Sequence, residues 1–227
     1  MRFLTVSGPP SAGKTSVVLR VIEALQTREK KIGVVKFDCL LTDDDQLYAA
    51  KGVLVKKGLS GALCPDHYFV SNIESCVNWG QAHGCEYLIS ESAGLCNRCS
   101  PHINEITAVC VIDNLSGINT PRKIGPMLKS ADIVVITKGD IVSQAEREVF
   151  AARVKQVNPG AVIMHVNGIS GQGAFELTSL FAGASNIETL KGKTLRFSMP
   201  AALCSYCLGE TRIGEEHQTG NVRKMDI

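Results

Sequence analysis

The octapeptide Gly8 to Thr15, "GPPSAGKT", has the spacing G-x-x-x-x-G-K-[ST] and falls between an apolar run, "RFLTVS", and a segment of helical period. Glycines there let backbone N–H groups curl around phosphate oxygens, and the following helix adds the positive end of its dipole. Lys14 reaches the β- and γ-phosphates and Thr15 offers a hydroxyl to Mg²⁺. Gly8, Ser11, Ala12, Gly13, Lys14, Thr15 and Ser16 are the candidate nucleotide-binding positions of this loop. The alternative is a glycine-rich turn that holds nothing, against which the Lys-Thr pair and its flanks argue.

"TKGD", Thr137 to Asp140, ends the strand-like run "DIVVIT". A carboxylate at that place can accept two hydrogen bonds from the N1 and N2 groups of guanine, and the stem of Lys138 can cover the base. The pattern resembles the guanine-selecting N/T-K-x-D, although Asp140 could equally cap a following helix. "VNGISGQG" fits a last base-contacting loop with Asn167 at its head, or a plain turn. Asp38 ends the second strand-like run and Glu91 ends the third, which aims both carboxylates at the phosphates. They suit Mg²⁺ coordination, with Thr15, and orientation of the attacking water, while Gly94 lets the backbone approach the γ-phosphate. Lys14, Asp38 and Glu91 are the candidate catalytic residues, and Asp43, Asp44 and Asp45 read as mostly solvated charge.

A second chemistry lies in the nine cysteines. Cys96-x-x-Cys99 and Cys204-x-x-Cys207 supply four thiolates, the inventory of a tetrahedral Zn²⁺ site or an iron–sulfur cluster. The pairs lie over a hundred residues apart and can meet only through folding or across a dimer; reduced, incidental pairs are the alternative. Cys39, Cys76, Cys85 and Cys110 read as apolar fillers. Of the five histidines, His67 and His102 sit where a metal argument exists.

These residues need elements to position them. Short Val- and Ile-rich runs, "RFLTVS", "IGVVKF", "EYLIS", "AVCVID", "DIVVIT" and "AVIMHV", alternate with helical segments at Lys14 to Arg28, Val70 to His83, Arg122 to Lys129, Gln144 to Val157 and Phe175 to Gly183. Ser143 and Glu146 form a capping box before one of them. Such alternation predicts an α/β fold, a doubly wound, mostly parallel sheet of the P-loop type, with ligands at the carboxyl ends of the strands. The alternation stops near Asn186, which predicts a nucleotide domain over 1–185 and a cysteine-containing appendage over 186–227. A chain of 227 residues, 44% hydrophobic, can bury one good core, and a net charge of +2 steers it toward neither nucleic acid nor anionic membrane. "MRFLTVSGPP" is too short in its apolar stretch for a signal peptide, and no run approaches a membrane span, so a cytoplasmic location is expected.

Taken together, the motifs resemble the metallochaperone GTPases of the P-loop class that mature nickel enzymes: the urease accessory GTPase above all, with the hydrogenase nickel-incorporation GTPase and CobW-like proteins as cousins. The likeness runs from the phosphate loop through Gly173 and is most specific in "ESAG", "SPHI" and "VIDNLSGINTPRKIGPMLKSADIVVITKGD". Thr137 stands where the pattern has Asn. "GALCPDH" is similar to the family's Cys-Pro-His motif, with Asp66 inserted, and the resemblance implies that Cys64 and His67 bind Ni²⁺ or Zn²⁺ and couple metal to nucleotide-dependent dimerisation. "CNRC" and "CSYC" are outside that pattern. The resemblance implies a slow GTPase using GTP and Mg²⁺ to assist metal or metallocofactor insertion into a client enzyme, working with that client or its accessory proteins as a nucleotide- or metal-dependent homodimer. Two other readings stay open: an ATP-dependent small-molecule kinase, and a nucleotide-linked metal or iron–sulfur redox sensor. Base preference separates the first from the kinase, and turnover with client present separates it from the sensor.

Overall fold

A computed structural model describes residues 1–197, 209–217 and 222–227. Seven strands, β1 (Arg2–Ser7), β2 (Ile32–Asp38), β3 (Leu54–Leu59), β4 (Tyr87–Ser92), β5 (Thr107–Asp113), β6 (Ile133–Thr137) and β7 (Val162–His165), form one parallel sheet in the order β3-β2-β4-β1-β5-β6-β7. This is the doubly wound α/β arrangement the alternation predicts. Burial on both faces explains why the central strands read as unbroken apolar runs.

The helices are α1 (Lys14–Gln26), α2 (Asp44–Ala49), α3 (Pro65–Ala82), α4 (Thr120–Lys123), α5 (Pro126–Lys129), α6 (Gln144–Val157) and α7 (Ala174–Phe181). On one face α1, α2 and α7 cover Leu4, Val34, Ile89 and Val109; on the other α3 covers Phe3, Val35, Phe37 and Leu88. The residues after α7 join this second face, where Ile187, Leu190, Leu195, Ile213 and Met225 pack with α3. Ser143 and Glu146 make both hydrogen bonds of the capping box that starts α6.

Several elements differ from the pattern read in the sequence. "LVKKGL" is a strand, β3, at the sheet edge, where half-exposed lysines are tolerated and mask the apolar signal. Glu91 consequently ends the fourth strand, not the third. The helix expected from Val70 begins at Pro65, a residue whose fixed φ suits a first helical turn. The single helix expected over Arg122 to Lys129 is two short ones, because Gly125 has a positive φ of 67°.

Candidate functional site

Parallel strands deliver their carboxyl ends to one edge, and there the connection after β1 runs to β2 on one side while that after β4 crosses to β5 on the other. The loop between β1 and α1 occupies that crevice. Gly13 caps α1 with φ 88°, and the Lys14 ammonium folds back onto the carbonyls of Gly8 (3.0 Å), Pro9 (2.8 Å) and Ala93 (3.2 Å). Burial holds the Lys14 pKa below its ordinary value, with Glu91 pulling the other way. The loop is also tied to "TKGD": Thr137 Oγ1 donates to the Ala12 carbonyl (2.6 Å) and Lys138 Nζ to that of Ser11 (2.8 Å). Asp140 is exposed beside a cleft of about 360 Å³ that Asn167 also lines. The Asn167 side chain accepts from the N–H groups of Ile169 and Ser170 (2.8 and 3.0 Å), shaping its own turn, and Arg20 holds that turn to α1 through the Gly168 carbonyl.

Acidic oxygens gather beside Thr15. Its hydroxyl lies 3.0 Å from both Asp44 Oδ2 and Glu91 Oε1. Glu91 is wholly buried and accepts from Lys36 Nζ (2.7 Å) and from the Tyr48 hydroxyl. Lys36 also contacts Asp44 (2.6 Å) and, more loosely, Asp38 (3.7 Å). Asp44 is therefore not solvated charge: burial would raise its pKa, but hydrogen bonds from Lys36 and Thr15 outweigh burial and lower it. Asp45 pairs with Lys57 at 2.9 Å. Lys36 and Tyr48 were not legible as site residues. A charge inside "IGVVKFD" is a usable signal for Lys36, whereas α2 is too short to reveal Tyr48 by period. Thr15, Asp38, Asp44 and Glu91 offer hard oxygens of the kind Mg²⁺ takes, so the residues fit that ion.

A few residues beyond Glu91, the loop from Ala93 to Ile103 is fastened along its length. A Cβ on Gly94 would stand 1.8 Å from the Gly8 carbonyl oxygen, and one on Gly125 would stand 2.4 Å from that of Asn97. His102 is fully buried, its Nδ1 2.8 Å from the Thr5 hydroxyl and its Nε2 3.1 Å from that of Ser7. Burial, with Arg196 nearby, pushes its pKa down to about 3. His102 therefore has no ring nitrogen left for a metal: both are engaged by hydroxyls on β1.

Cys96 and Cys99, in the same loop, have Sγ atoms 3.4 Å apart, and Asp66 at the start of α3 joins them with all three ligand atoms within 4.8 Å of one another. Cys64 caps α3, and its thiol is close enough to act electrostatically on Cys99. Burial raises the Asp66 pKa to about 6, and burial together with Asp66 and Cys96 raises that of Cys99. His67 is buried and its pKa is lowered by that burial. Soft thiolates with one carboxylate are a donor set for a borderline or soft metal ion. Cys204 and Cys207 lie outside the described residues. Cys76, Cys85 and Cys110 are buried in the core.

Fold and site together define a P-loop nucleotide-binding protein. Residues 2–165 match the model of the CobW/HypB/UreG nucleotide-binding domain, and the chain belongs to that family. Over 226 residues it is 47% identical to an uncharacterized protein of Methanocaldococcus jannaschii, covering 100% of this chain and 97% of that one. A urease accessory protein UreG of a Bradyrhizobium species is 29% identical over 188 residues, 77% of this chain and 87% of the relative. Among solved structures, the hydrogenase maturation factor HypB of Archaeoglobus fulgidus shares the fold with a TM-score of 0.64 at 22% identity, covering 81% of this chain and 89% of that one. HypB of Helicobacter pylori, in a complex with nickel, gives 0.64 at 17% identity, covering 83% and 91%. Among the described residues no helix is long and apolar enough to cross a membrane.

Proposed function

We propose that this protein is a GTP-binding and GTP-hydrolysing metallochaperone that assists metal insertion into a client enzyme, with a thiolate-held metal ion as its cargo. The observation that carries the reading is the position of one loop. Ala93 gives its carbonyl to Lys14 of the phosphate loop, and three residues later Cys96 stands beside Cys99 and Asp66.

Lys14 is held by three carbonyls whose place phosphate oxygens can take. When it turns to the β- and γ-phosphates it gives up Ala93, and the Ala93–Gly94 turn is free to present its N–H groups to the γ-phosphate. Asp38 and Glu91 orient the attacking water, and Asp140 with Lys138 selects the base. Mg²⁺, held by Thr15, Asp38, Glu91 and Asp44, would neutralise charge on the phosphates. Movement of the turn alters the spacing of Cys96, Cys99, Cys64, Asp66 and His67, so that nucleotide state sets metal affinity. In this reading residues 1–185 are the switch and 186–227 a cysteine-containing extension. The protein works in the cytoplasm as a nucleotide- or metal-dependent homodimer that meets a client or accessory protein.

The test is metal stoichiometry by elemental analysis, with Mg²⁺ and either GDP or a non-hydrolysable GTP analogue. The wild type should bind Zn²⁺ or Ni²⁺ with an affinity that differs between the two nucleotides. In Cys96→Ser/Cys99→Ser, GTP turnover should persist while that difference disappears; a double variant with unaltered, nucleotide-responsive metal content would sink the reading.

A further inference from the structure

Strand β2 is buried along most of its length, and Lys36 is 3% exposed within it. Strand alternation puts Lys36 on the same face as Val34, the face that α1 and α2 cover. The sheet register makes Glu91 of β4 its direct neighbour. Three carboxylates surround the ammonium, at 2.7 Å (Glu91), 2.6 Å (Asp44) and 3.7 Å (Asp38). Burying a lysine in an apolar strand is costly without such partners, and a methionine of similar shape would fill the same space. Two of these partners, Asp44 Oδ2 and Glu91 Oε1, are also the oxygens that meet the Thr15 hydroxyl, a set that suits Mg²⁺.

An ammonium and a divalent cation compete for the same oxygens when both lie close to them. Mg²⁺ binds oxygen at about 2.0–2.1 Å in near-octahedral geometry. The Asp44 and Glu91 oxygens it would use already face Lys36, and the two cations would repel each other at close range. We propose that Lys36 is a built-in counter-cation of the Mg²⁺ position: its ammonium holds Asp44 and Glu91 until the divalent ion displaces it. Entry of Mg²⁺ and release of Lys36 are then one event. Because Asp44 and Tyr48 both lie on α2 and both reach this cluster, α2 loses one of its ties to β2 at that moment. The inference rests on the reading of the Thr15 site as a Mg²⁺ and nucleotide site.

Two measurements on the full chain decide it. In ¹⁵N-labelled wild type without nucleotide and with EDTA, the Lys36 ammonium should give a protected side-chain NMR resonance, assigned by its loss in Lys36→Arg. Adding Mg²⁺ with GDP should abolish or shift it, whereas GDP with EDTA should not. Separately, Mn²⁺ binding to nucleotide-free protein, followed by electron paramagnetic resonance, should be about tenfold or more tighter in Lys36→Met than in wild type, since removing an internal competitor raises the competent fraction. A Lys36 resonance unmoved by bound Mg²⁺ and GDP, or equal Mn²⁺ affinities in folded proteins, overturns the proposal. If Lys36→Met does not fold, the wild-type resonance decides alone. If GDP fails to bind under any condition, the nucleotide reading falls and the Mn²⁺ comparison still judges Lys36.

Discussion

Gly94 rests directly against Gly8: a Cβ built on Gly94 would lie 1.8 Å from the Gly8 carbonyl oxygen, and Gly94 has a positive φ of 69°. The loop that carries the cysteine pair is thus stacked on the loop that would cradle phosphate, backbone to backbone. Gly94→Ala must push one of them away. Nucleotide affinity should fall by about tenfold or more, equivalent to about 1.4 kcal/mol, read by titration calorimetry with GDP. Gly192→Ala is the control. It has a similar φ of 78° with nothing within 4 Å, so it should lose about 1–2 kcal/mol of stability from backbone strain alone and no affinity.

Asp140 sets the base in the proposed site. A carboxylate accepts from the N1 and N2 hydrogens of guanine, whereas the amide of Asp140→Asn brings a donor that suits the O2 of xanthine. The variant should prefer xanthosine over guanosine diphosphate in a competition assay, with its thermal midpoint unchanged because the residue is exposed. Retained guanine preference would remove Asp140 from the base site.

His102 makes stability pH-dependent. Its folded pKa lies near 3, below the ordinary 6.5, so the unfolded chain takes up the proton first and stability is lost as pH falls from about 6.5 toward 3. The slope is at most about 1.4 kcal/mol per pH unit. Between pH 6.5 and 5 the wild type should lose up to about 2 kcal/mol more than His102→Gln in urea unfolding. Parallel losses in the two proteins would show that His102 already shares its burial with a charge.

Arg196 fastens the segment after α7 to the loop that holds His102. Its guanidinium donates to both oxygens of Asp132 (2.7 Å each) and to the carbonyls of Ile103 (3.0 Å), Ile106 (2.7 Å) and Ser130 (2.8 Å). A lysine cannot span these directions. Arg196→Lys should cost about 1–3 kcal/mol of unfolding free energy while leaving GDP affinity unchanged. An unaffected urea midpoint would mean that the segment is held by its apolar contacts alone.

The parts of this protein that were legible in advance are local ones. A phosphate loop is a contiguous string whose strand-turn-helix context is itself written in the neighbouring residues, and the Ser143–Glu146 capping box depends on residues three apart. Strands buried on both faces announce themselves as apolar runs, so five of the seven could be read from their sequences, and β7, half-exposed at one edge, still shows a short Val-Ile-Met run; β3, at the other edge and carrying two lysines, could not be read.

Sequence alone therefore determined the fold class, the phosphate loop, the "TKGD" string at a strand end and the presence of thiol pairs, because each rests on backbone conformation or chemistry confined to a few consecutive residues. Tertiary structure decided which groups meet. Lys36 finds Glu91 through the register of two strands 55 residues apart, His102 finds Thr5 and Ser7 beneath the phosphate loop, and Asp66 comes to Cys96 and Cys99 from the start of a different element. A buried charge or a donor cluster takes its meaning from its partners. Those partners are assigned only when the sheet closes and water leaves, since the cost of desolvation is what makes the pairing obligatory.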